Sequence, residues 1–254
     1  MLPIQRRQAL LDYLIRHGGG SIKEFSDQFG VSEMTIRRDL ELLEQQGDVV
    51  RSHGGAMYAD KLLKEPALRD KLAKNADVKE KLAAYAAERF ISDGDVLIVE
   101  GGTTVSKMAS YIKHSQLTLM TNGLDALQQL RAVAGRHTVL CCGGVLREPS
   151  GTFVGPVAES FFAQYHARTT FLSALGFTVD AGFTDPNLMD TQVKKVMIQS
   201  AARTVMLLDS SKFGSRSFAT VARLDEVSVL VTDSGVPEYV RTACESANVE
   251  LHVV

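Results

Sequence analysis

Arginine, threonine and methionine side chains in residues 32–40 have the spacing of groups that read DNA bases. Thr35 and Arg38 lie three residues apart, with Met34 beside them, on one face of a predicted helix that Ser32 caps. An arginine can hold guanine through two hydrogen bonds, and a threonine can contact a thymine methyl group or a phosphate. The pattern therefore predicts that Thr35 and Arg38 bind double-stranded DNA.

Further residues nearby are predicted to hold the DNA backbone. Helix geometry turns Arg37 by about 100° from its neighbour, so that it binds a phosphate or pairs with Glu33 or Glu41. Arg51 and His53 lie in a predicted hairpin, where they are candidates for backbone or minor-groove contacts. Together with the recognition face, the predicted DNA-binding residues are Ser32, Met34, Thr35, Arg37, Arg38, Arg51 and His53.

Two capped helices and a hairpin must position these side chains. Ser21 followed by Glu24 has the pattern of a capping box at the start of the helix before the recognition helix. Apolar residues at helical spacing in the recognition helix predict that its other face packs in a core. The short apolar runs 48–51 and 56–58 then predict a small hairpin. Residues 1–58 are therefore predicted to form a winged helix-turn-helix domain.

From residue 95 onward, short apolar strands alternate with helices such as 104–113 and 187–201. Such continuous apolar runs are typical of strands that are covered on both faces of a parallel sheet. The predicted strands are residues 96–99, 117–120, 138–141, 171–174, 204–208 and 227–231. The fold class is therefore α/β, with a mostly parallel sheet in residues 91–254 and a helical connector, 59–90, that joins it to the first domain. We hypothesise that this connector carries signals between the two.

Small polar loops follow the first three strands, at the sheet edge where open α/β sheets bind ligands. In the loop 101–104, glycine N–H groups and threonine hydroxyls could hold a phosphate. Loops 121–123 and 142–144 meet the same edge, and three later basic side chains could supply a cation. The candidate ligand-binding residues are Glu100, Gly101, Gly102, Thr103, Thr104, Thr121, Asn122, Gly143, Gly144, Arg147, Lys194 and Lys212.

The basic stretch 61–81 contains seven lysines and arginines against four acids. Charge runs of this kind are usually solvated helix faces, and a solvated face is the first interpretation here. Contacts with DNA phosphates are the second.

Composition excludes several classes of protein. The 254 residues carry a net charge of −2 and three cysteines, with no apolar run of the ~20 residues that a membrane helix needs. The N-terminus lacks the pattern of a secretory signal, so we expect a cytoplasmic protein with no membrane partner. The six histidines show no ligand spacing, and no catalytic motif is recognisable. We therefore expect no metal, no cofactor and no catalytic residue.

The chain resembles the DeoR family of bacterial transcriptional regulators along nearly its whole length. The blocks that carry the resemblance are residues 31–40, 53–56, 102–104, 121–122, 143–147, 154–156 and 209–214. The resemblance implies a sensor domain similar in fold to ribose-5-phosphate isomerase, which binds a phosphorylated sugar. It also implies a homo-oligomer, a dimer or a tetramer, that represses sugar or polyol catabolism genes and leaves its operator when that effector binds.

Two departures from the family pattern bear on the alternatives. Glu100 and Gly101 stand where an aspartate commonly precedes the glycine–threonine block, and Gln192 stands where an acid commonly precedes Val193-Lys194. Both positions are where an isomerase would keep carboxylates, so they disfavour the alternative of a sugar-phosphate isomerase with an N-terminal extension. A winged helix that binds only proteins is the third hypothesis, and it leaves Thr35 and Arg38 without a role.

Overall fold

The computed structural model of this chain describes residues 2–46, 48–52, 54–58, 62 and 65–254. Within these residues, no helix has both the length and the apolar character needed to cross a membrane. The chain forms a small N-terminal unit and a larger α/β unit, as the sequence predicts.

The N-terminal unit is a winged helix-turn-helix. Its elements are α1 (Pro3–His17), β1 (Gly19–Ser21), α2 (Ile22–Phe29), α3 (Glu33–Gln45), β2 (Val49–Ser52) and β3 (Gly55–Tyr58). The Ser21–Glu24 capping box begins α2, and the Ser32 hydroxyl accepts the Thr35 backbone N–H at the start of α3. Gly30 has a φ of 64°, a left-handed conformation that suits glycine, in the turn between α2 and α3.

One apolar core fixes the orientation of α3. Leu10, Phe25, Ile36 and Leu40 have no exposed surface and belong to a single cluster. The predicted hairpin is confirmed, but β3 pairs with β1 as well as with β2. β1 has no clear signal in the sequence, because its three residues include Gly19 and Gly20, and glycine is rare in strands.

The larger unit is built on a parallel sheet with the strand order β15-β14-β12-β9-β4-β5-β6. These strands are β4 (Val96–Val99), β5 (Thr118–Thr121), β6 (Thr138–Cys141), β9 (Ala167–Leu172), β12 (Ala201–Leu207), β14 (Val229–Thr232) and β15 (Glu250–Val253). Two small antiparallel sheets flank it: β7 (Val145–Arg147) with β8 (Thr152–Val154), and β10 (Gly176–Thr178), β11 (Gly182–Asp185) and β13 (Ala219–Ala222). The predicted α/β class with a mostly parallel sheet is confirmed.

Helices cover both faces of the parallel sheet. They are α4 (Leu68–Ala73), α5 (Ala76–Phe90), α6 (Leu124–Arg131), α7 (Pro156–Ala163), α8 (Leu188–Gln199) and α9 (Glu238–Ser246). Successive sheet residues alternate between two cores: Ile98 packs with α7, α8 and α9, whereas Leu97 and Val99 pack with α5. Within the connector, α5 therefore lies in the core of the sheet. We propose that the α/β domain begins at α5, with residues 59–75 as the link.

Elements of the larger unit also differ from the sequence predictions, among them β9, which spans Ala167–Leu172 where residues 171–174 are predicted. The predicted helix 104–113 is a 3₁₀ helix at Ser106–Tyr111, because the β-branched run Thr103-Thr104-Val105 disfavours an α-helical start. The edge strand β15 was missed because its half-exposed residues alternate between polar and apolar, unlike the apolar runs of the central strands.

Candidate functional site: a DNA-reading helix and a cavity at the sheet edge

The exposed face of α3 carries the residues predicted to read bases. Met34 and Arg38 are exposed, and Thr35 is half-buried because its hydroxyl lies 3.0 Å from the Ser32 hydroxyl. Arg38 makes no ion pair with any residue in the described parts of the chain. Arg37 instead lies 3.9 Å from Glu33, a weak surface pair that leaves its guanidinium available. The arrangement has the geometry of a recognition helix.

A buried carboxylate holds α3 against α1. Asp39 is 3% exposed, and one of its oxygens lies 2.5 Å from Arg6 Nε. Arg7 approaches the other oxygen at 3.5 Å. These two arginines, which precede the core leucines of α1, therefore neutralise an internal charge. The sequence analysis missed this contact because it joins residues that lie far apart along the chain.

The wing places Arg51 beside the end of α3. Glu44 accepts both the Arg51 side chain, with 2.7 Å between Nε and Oε2, and the Arg51 backbone N–H at 3.2 Å. Arg51 would therefore exchange a carboxylate for a phosphate if it contacts DNA. His53, also predicted to contact DNA, lies outside the residues that the structure describes.

A cavity of about 1200 Å³ lies at the carboxyl edge of the parallel sheet. Its walls come from both units, with β1 and β3 of the winged helix on one side and the loops after β4, β9 and β12 on the other. Of the predicted ligand-binding residues, Glu100, Gly102, Thr103, Thr104, Lys194 and Lys212 line it. The cavity has a cationic end and an end where carboxylates and cations are paired.

Lysines from α4, α5 and their junction converge on the cationic end. Lys71, Lys74 and Lys79 line the cavity, together with Lys212 from the loop after β12. Lys79 donates to the Lys71 backbone carbonyl and to the Thr103 hydroxyl, the latter at 3.1 Å. This part of the basic run 61–81 is therefore not a solvated face, because α5 packs on the sheet and turns Lys79 inward.

Positive charge is in excess at this end. Burial lowers the pKa of Lys79 to about 8; the charges of Lys212, Lys107 and Lys74 lower it as well, and only Asp209 opposes them. Burial also lowers the pKa of Lys212, although Asp209 lies 3.6 Å from its ammonium. Within the cavity, Lys74 and Lys212 thus act on Lys79 against the carboxylate of Asp209, whereas Lys107 is paired with Glu80. An anionic ligand would supply the missing negative charge.

The opposite end contains a lysine held between carboxylates. Lys194 Nζ lies 2.6 Å from Asp185 Oδ2 and 3.3 Å from Glu100 Oε1, and it donates to the Ser173 carbonyl at 2.8 Å. Burial alone would lower the pKa of Lys194, but the two carboxylates hold it above its ordinary value. Glu100 also accepts the Ser173 hydroxyl at 3.1 Å. Lys194 is thus committed to internal partners.

Arg147 is likewise committed to a network beside the cavity. Its guanidinium donates to Asp190 and, at 2.8 Å, to Glu65. Asp190 also accepts the Thr152 hydroxyl at 2.5 Å. The arginine therefore ties β7 to α8 and to the link before α4, and it does not line the cavity.

The remaining predicted residues shape the sheet edge without lining the cavity. The Asn122 side-chain oxygen accepts the Gly101 N–H at 3.0 Å, and Thr121 accepts the Gly123 N–H at 3.0 Å. A Cβ at Gly101 would lie 2.6 Å from the Gly123 Cα, so these two loops touch backbone to backbone. Gly143 and Gly144 have positive φ values before β7, remote from the lining residues.

Lys79 is the main cavity residue that the sequence analysis missed. A usable signal was present, because Leu82 and Ala83 lie three and four residues later and are fully buried. Helix periodicity then places Lys79 on the inward face of α5. A lysine on a buried face, unlike one in a uniform charge run, indicates a specific partner.

Among solved structures, the chain is similar to ribose 5-phosphate isomerase A from Methanocaldococcus jannaschii. The similarity covers 55% of each chain, with a TM-score of 0.41 and 15% sequence identity. This enzyme class is the one whose fold the sequence resemblance implied. The similarity is too low to support a functional argument.

Curated relatives align with the whole chain. The transcriptional regulator YulB of Bacillus subtilis is 36% identical over 100% of this chain and 98% of its own. The regulator GlpR of Haloferax volcanii is 33% identical, with coverages of 98% and 97%. The transcriptional repressor AccR of Agrobacterium fabrum is 30% identical, with coverages of 95% and 94%.

Two family models divide the chain as the fold does. The DeoR-like helix-turn-helix domain matches residues 6–61, and the DeoR C-terminal sensor domain matches residues 74–234. The expected resemblance is confirmed by these matches and by the relatives. The chain belongs to the DeoR family of helix-turn-helix transcriptional regulators.

Proposed function

We propose that the protein represses a sugar or polyol catabolism operon and leaves its operator when a phosphorylated sugar occupies the cavity. The observation that carries the proposal is the cavity itself, which has a cationic end and is walled by both the sensor sheet and the winged helix. A ligand bound there contacts the DNA-binding unit directly. The assembly that binds DNA is proposed to be a homo-oligomer, whose paired recognition helices match two half-sites.

The cationic end suits a phosphate for electrostatic reasons. Lys79 and Lys212 carry ammonium groups on two separate elements, and the Thr103 hydroxyl lies 3.1 Å from Lys79 Nζ. A phosphate monoester carries close to two negative charges at neutral pH and accepts several hydrogen bonds. It would therefore balance the excess positive charge around Lys79. We assign the phosphate to Lys79, Lys212 and Thr103.

The sugar would extend towards the carboxylate end of the cavity. There the polar residues Ser173, Thr152 and Asp190 form part of the cavity wall. Hydroxyl and carboxylate oxygens are suitable partners for the hydroxyls of a sugar or polyol. The committed ion pairs of Glu100 and Asp190 disfavour the isomerase alternative, in which a carboxylate must be free to move a proton.

Fluorescence anisotropy with DNA from upstream of the gene tests the whole proposal. At about 150 mM salt, the protein should prefer this fragment to scrambled DNA, since salt suppresses binding to phosphates alone. One member of a panel of sugar phosphates should weaken the specific complex, and its unphosphorylated parent should not. Equal effects of sugar and sugar phosphate would contradict the assignment of the phosphate to the cationic end.

Replacing Arg38 by alanine should reduce the preference for the operator over scrambled DNA. Loss of a two-bond contact to guanine costs about 1–3 kcal/mol per site, so specific affinity should fall by roughly tenfold to a hundredfold. The matched control is Arg37→Ala on the same helix, which should weaken binding to operator and scrambled DNA by similar factors. Competition anisotropy with both DNAs measures the ratio of the affinity for the operator to the affinity for scrambled DNA. If Arg38→Ala keeps the ratio of the unaltered protein, its role in base reading is refuted.

A further inference from the structure

Residues 212–218, here called the 212–218 loop, touch both the ligand cavity and the winged helix. Lys212 lines the cationic end at the start of the loop, and Arg216 also lines the cavity. Four residues later, the Arg216 backbone N–H lies 3.4 Å from the Met57 sulfur on β3. The Phe218 N–H then donates to the Leu62 carbonyl of the link at 3.1 Å. The loop therefore connects the cavity with the DNA-binding unit through a short segment and a hydrogen bond.

The loop is firmly attached to the sensor sheet. The Gly214 N–H donates to the Phe177 carbonyl at 2.9 Å, and the Phe213 ring packs edge-on against the Phe177 ring. The Ser217 N–H donates to the Thr184 hydroxyl at 2.8 Å. Because these bonds hold the loop along its length, a displacement of Lys212 would be passed to Arg216 rather than absorbed by a slack chain.

On the other side, the loop reaches the charges that hold the wing. Glu44 near the end of α3 binds Arg51 of β2, a predicted DNA contact. Burial would raise the pKa of Glu44, but Arg51 and, further away, Arg216 lower it, so both arginines act on the same carboxylate. Arg216 is also 3.7 Å from Asp180 of the sensor unit. Its guanidinium therefore pairs with the sensor unit, while its positive charge acts on Glu44 only from a longer range.

We propose that the 212–218 loop transmits ligand occupancy to the DNA-binding unit. This inference rests on the proposed function, and it replaces the 59–90 connector as the route of the signal. An anion at Lys212 shifts the loop, Arg216 moves against Met57, and the Glu44–Arg51 pair that shapes the wing changes with it. The loop is preferred because it contacts both the cavity and Met57 of β3, whereas Leu82, Ala83, Ala86 and Ala87 of α5 pack in the sheet core.

The test measures operator affinity with and without ligand for Arg216→Ala and for the matched control Arg223→Ala. The control removes an equally basic side chain that is 73% exposed, pairs with Asp225 and does not line the cavity. The probe is the member of a panel of ribose 5-phosphate, fructose 6-phosphate, glucosamine 6-phosphate and glycerol 3-phosphate that most weakens the operator complex of the unaltered protein. Thermal-shift titration with the same compound reports its binding to each variant.

In the unaltered protein and in Arg223→Ala, ligand should weaken operator binding by about tenfold or more, within the usual range of allosteric coupling. In Arg216→Ala, ligand should weaken operator binding by less than about twofold. The ligand should still raise the melting temperature of this variant. Met57→Leu keeps the volume of the side chain but removes the sulfur acceptor. In this variant, the factor by which ligand weakens operator binding should be intermediate. Full coupling in Arg216→Ala overturns the inference alone. No response of the unaltered protein to any panel member overturns the proposed function and this inference together.

Discussion

Replacing Lys194 by methionine is expected to lower the free energy of unfolding of the α/β domain by about 3–5 kcal/mol, the usual cost of removing one partner of a buried ion pair. Glu100 and Asp185 would keep their positions, 2% and 4% exposed, without the cation that neutralises both. Methionine fills a similar volume, so the loss would come from charge and not from a cavity. Thermal unfolding should show the transition of this domain about 10 °C lower.

Lys195→Met is the matched control, because Lys195 is the next residue of α8 and its side chain is exposed. Its unfolding temperature should stay within about 2 °C of the unaltered protein, as surface substitutions rarely matter. The triple variant Lys194→Met, Glu100→Gln, Asp185→Asn should recover part of the loss, because it removes the two unpaired charges. Equal unfolding temperatures for Lys194→Met and Lys195→Met would refute the structural role of Lys194.

The fate of Lys194 illustrates what sequence patterns can and cannot specify. Its position on α8 was predictable, since residues 187–201 have helical periodicity and the helix spans Leu188–Gln199. Its neighbours were not, because Glu100 and Asp185 come from the ends of β4 and β11, which only the three-dimensional fold brings together. Candidate cations could therefore be named from the sequence, but not which of them internal carboxylates already hold.

The loops at the sheet edge show the same limit. Their composition and their positions after β4, β5 and β6 follow from the sequence, because apolar strands and small polar turns have strong local signals. Which loops face the cavity depends on how the sheet twists and on which residues fill the space between its loops. The Thr121 hydroxyl accepts the Gly123 N–H of its own loop, and Asn122 accepts the Gly101 N–H of the neighbouring loop. The Thr103 hydroxyl instead accepts a hydrogen bond from Lys79. The helix α3 could be predicted from the sequence, because the residues of one helix face form a pattern that is local along the chain.

Replacing Lys79 by methionine is expected to weaken phosphorylated-sugar binding by roughly tenfold to a hundredfold, since a charge-assisted hydrogen bond contributes about 1.5–3 kcal/mol. The same residue should make binding depend on pH. With the pKa of Lys79 at about 8 in the ligand-free protein, its ammonium is present below pH 8 and lost above it. A phosphate monoester, with a second pKa near 6, stays doubly charged throughout this range. Affinity should therefore be nearly constant up to pH 8 and fall by about tenfold by pH ~9.5.

Stability of the ligand-free protein should respond in the opposite direction. The pKa of Lys79 in the folded state lies below the ordinary 10.5, so the folded chain holds fewer protons than the unfolded chain between pH 8 and 10.5. The contribution of Lys79 to stability therefore rises with pH across that window.

The trends of ligand affinity and of stability with pH should both disappear in Lys79→Met and persist in Lys81→Met, whose side chain is exposed on the same helix. Titrations of the strongest panel ligand from pH 7 to about 9.5 give the comparison. An affinity that stays flat to pH ~9.5 in the unaltered protein would mean that the phosphate binds away from Lys79, whose pKa is about 8.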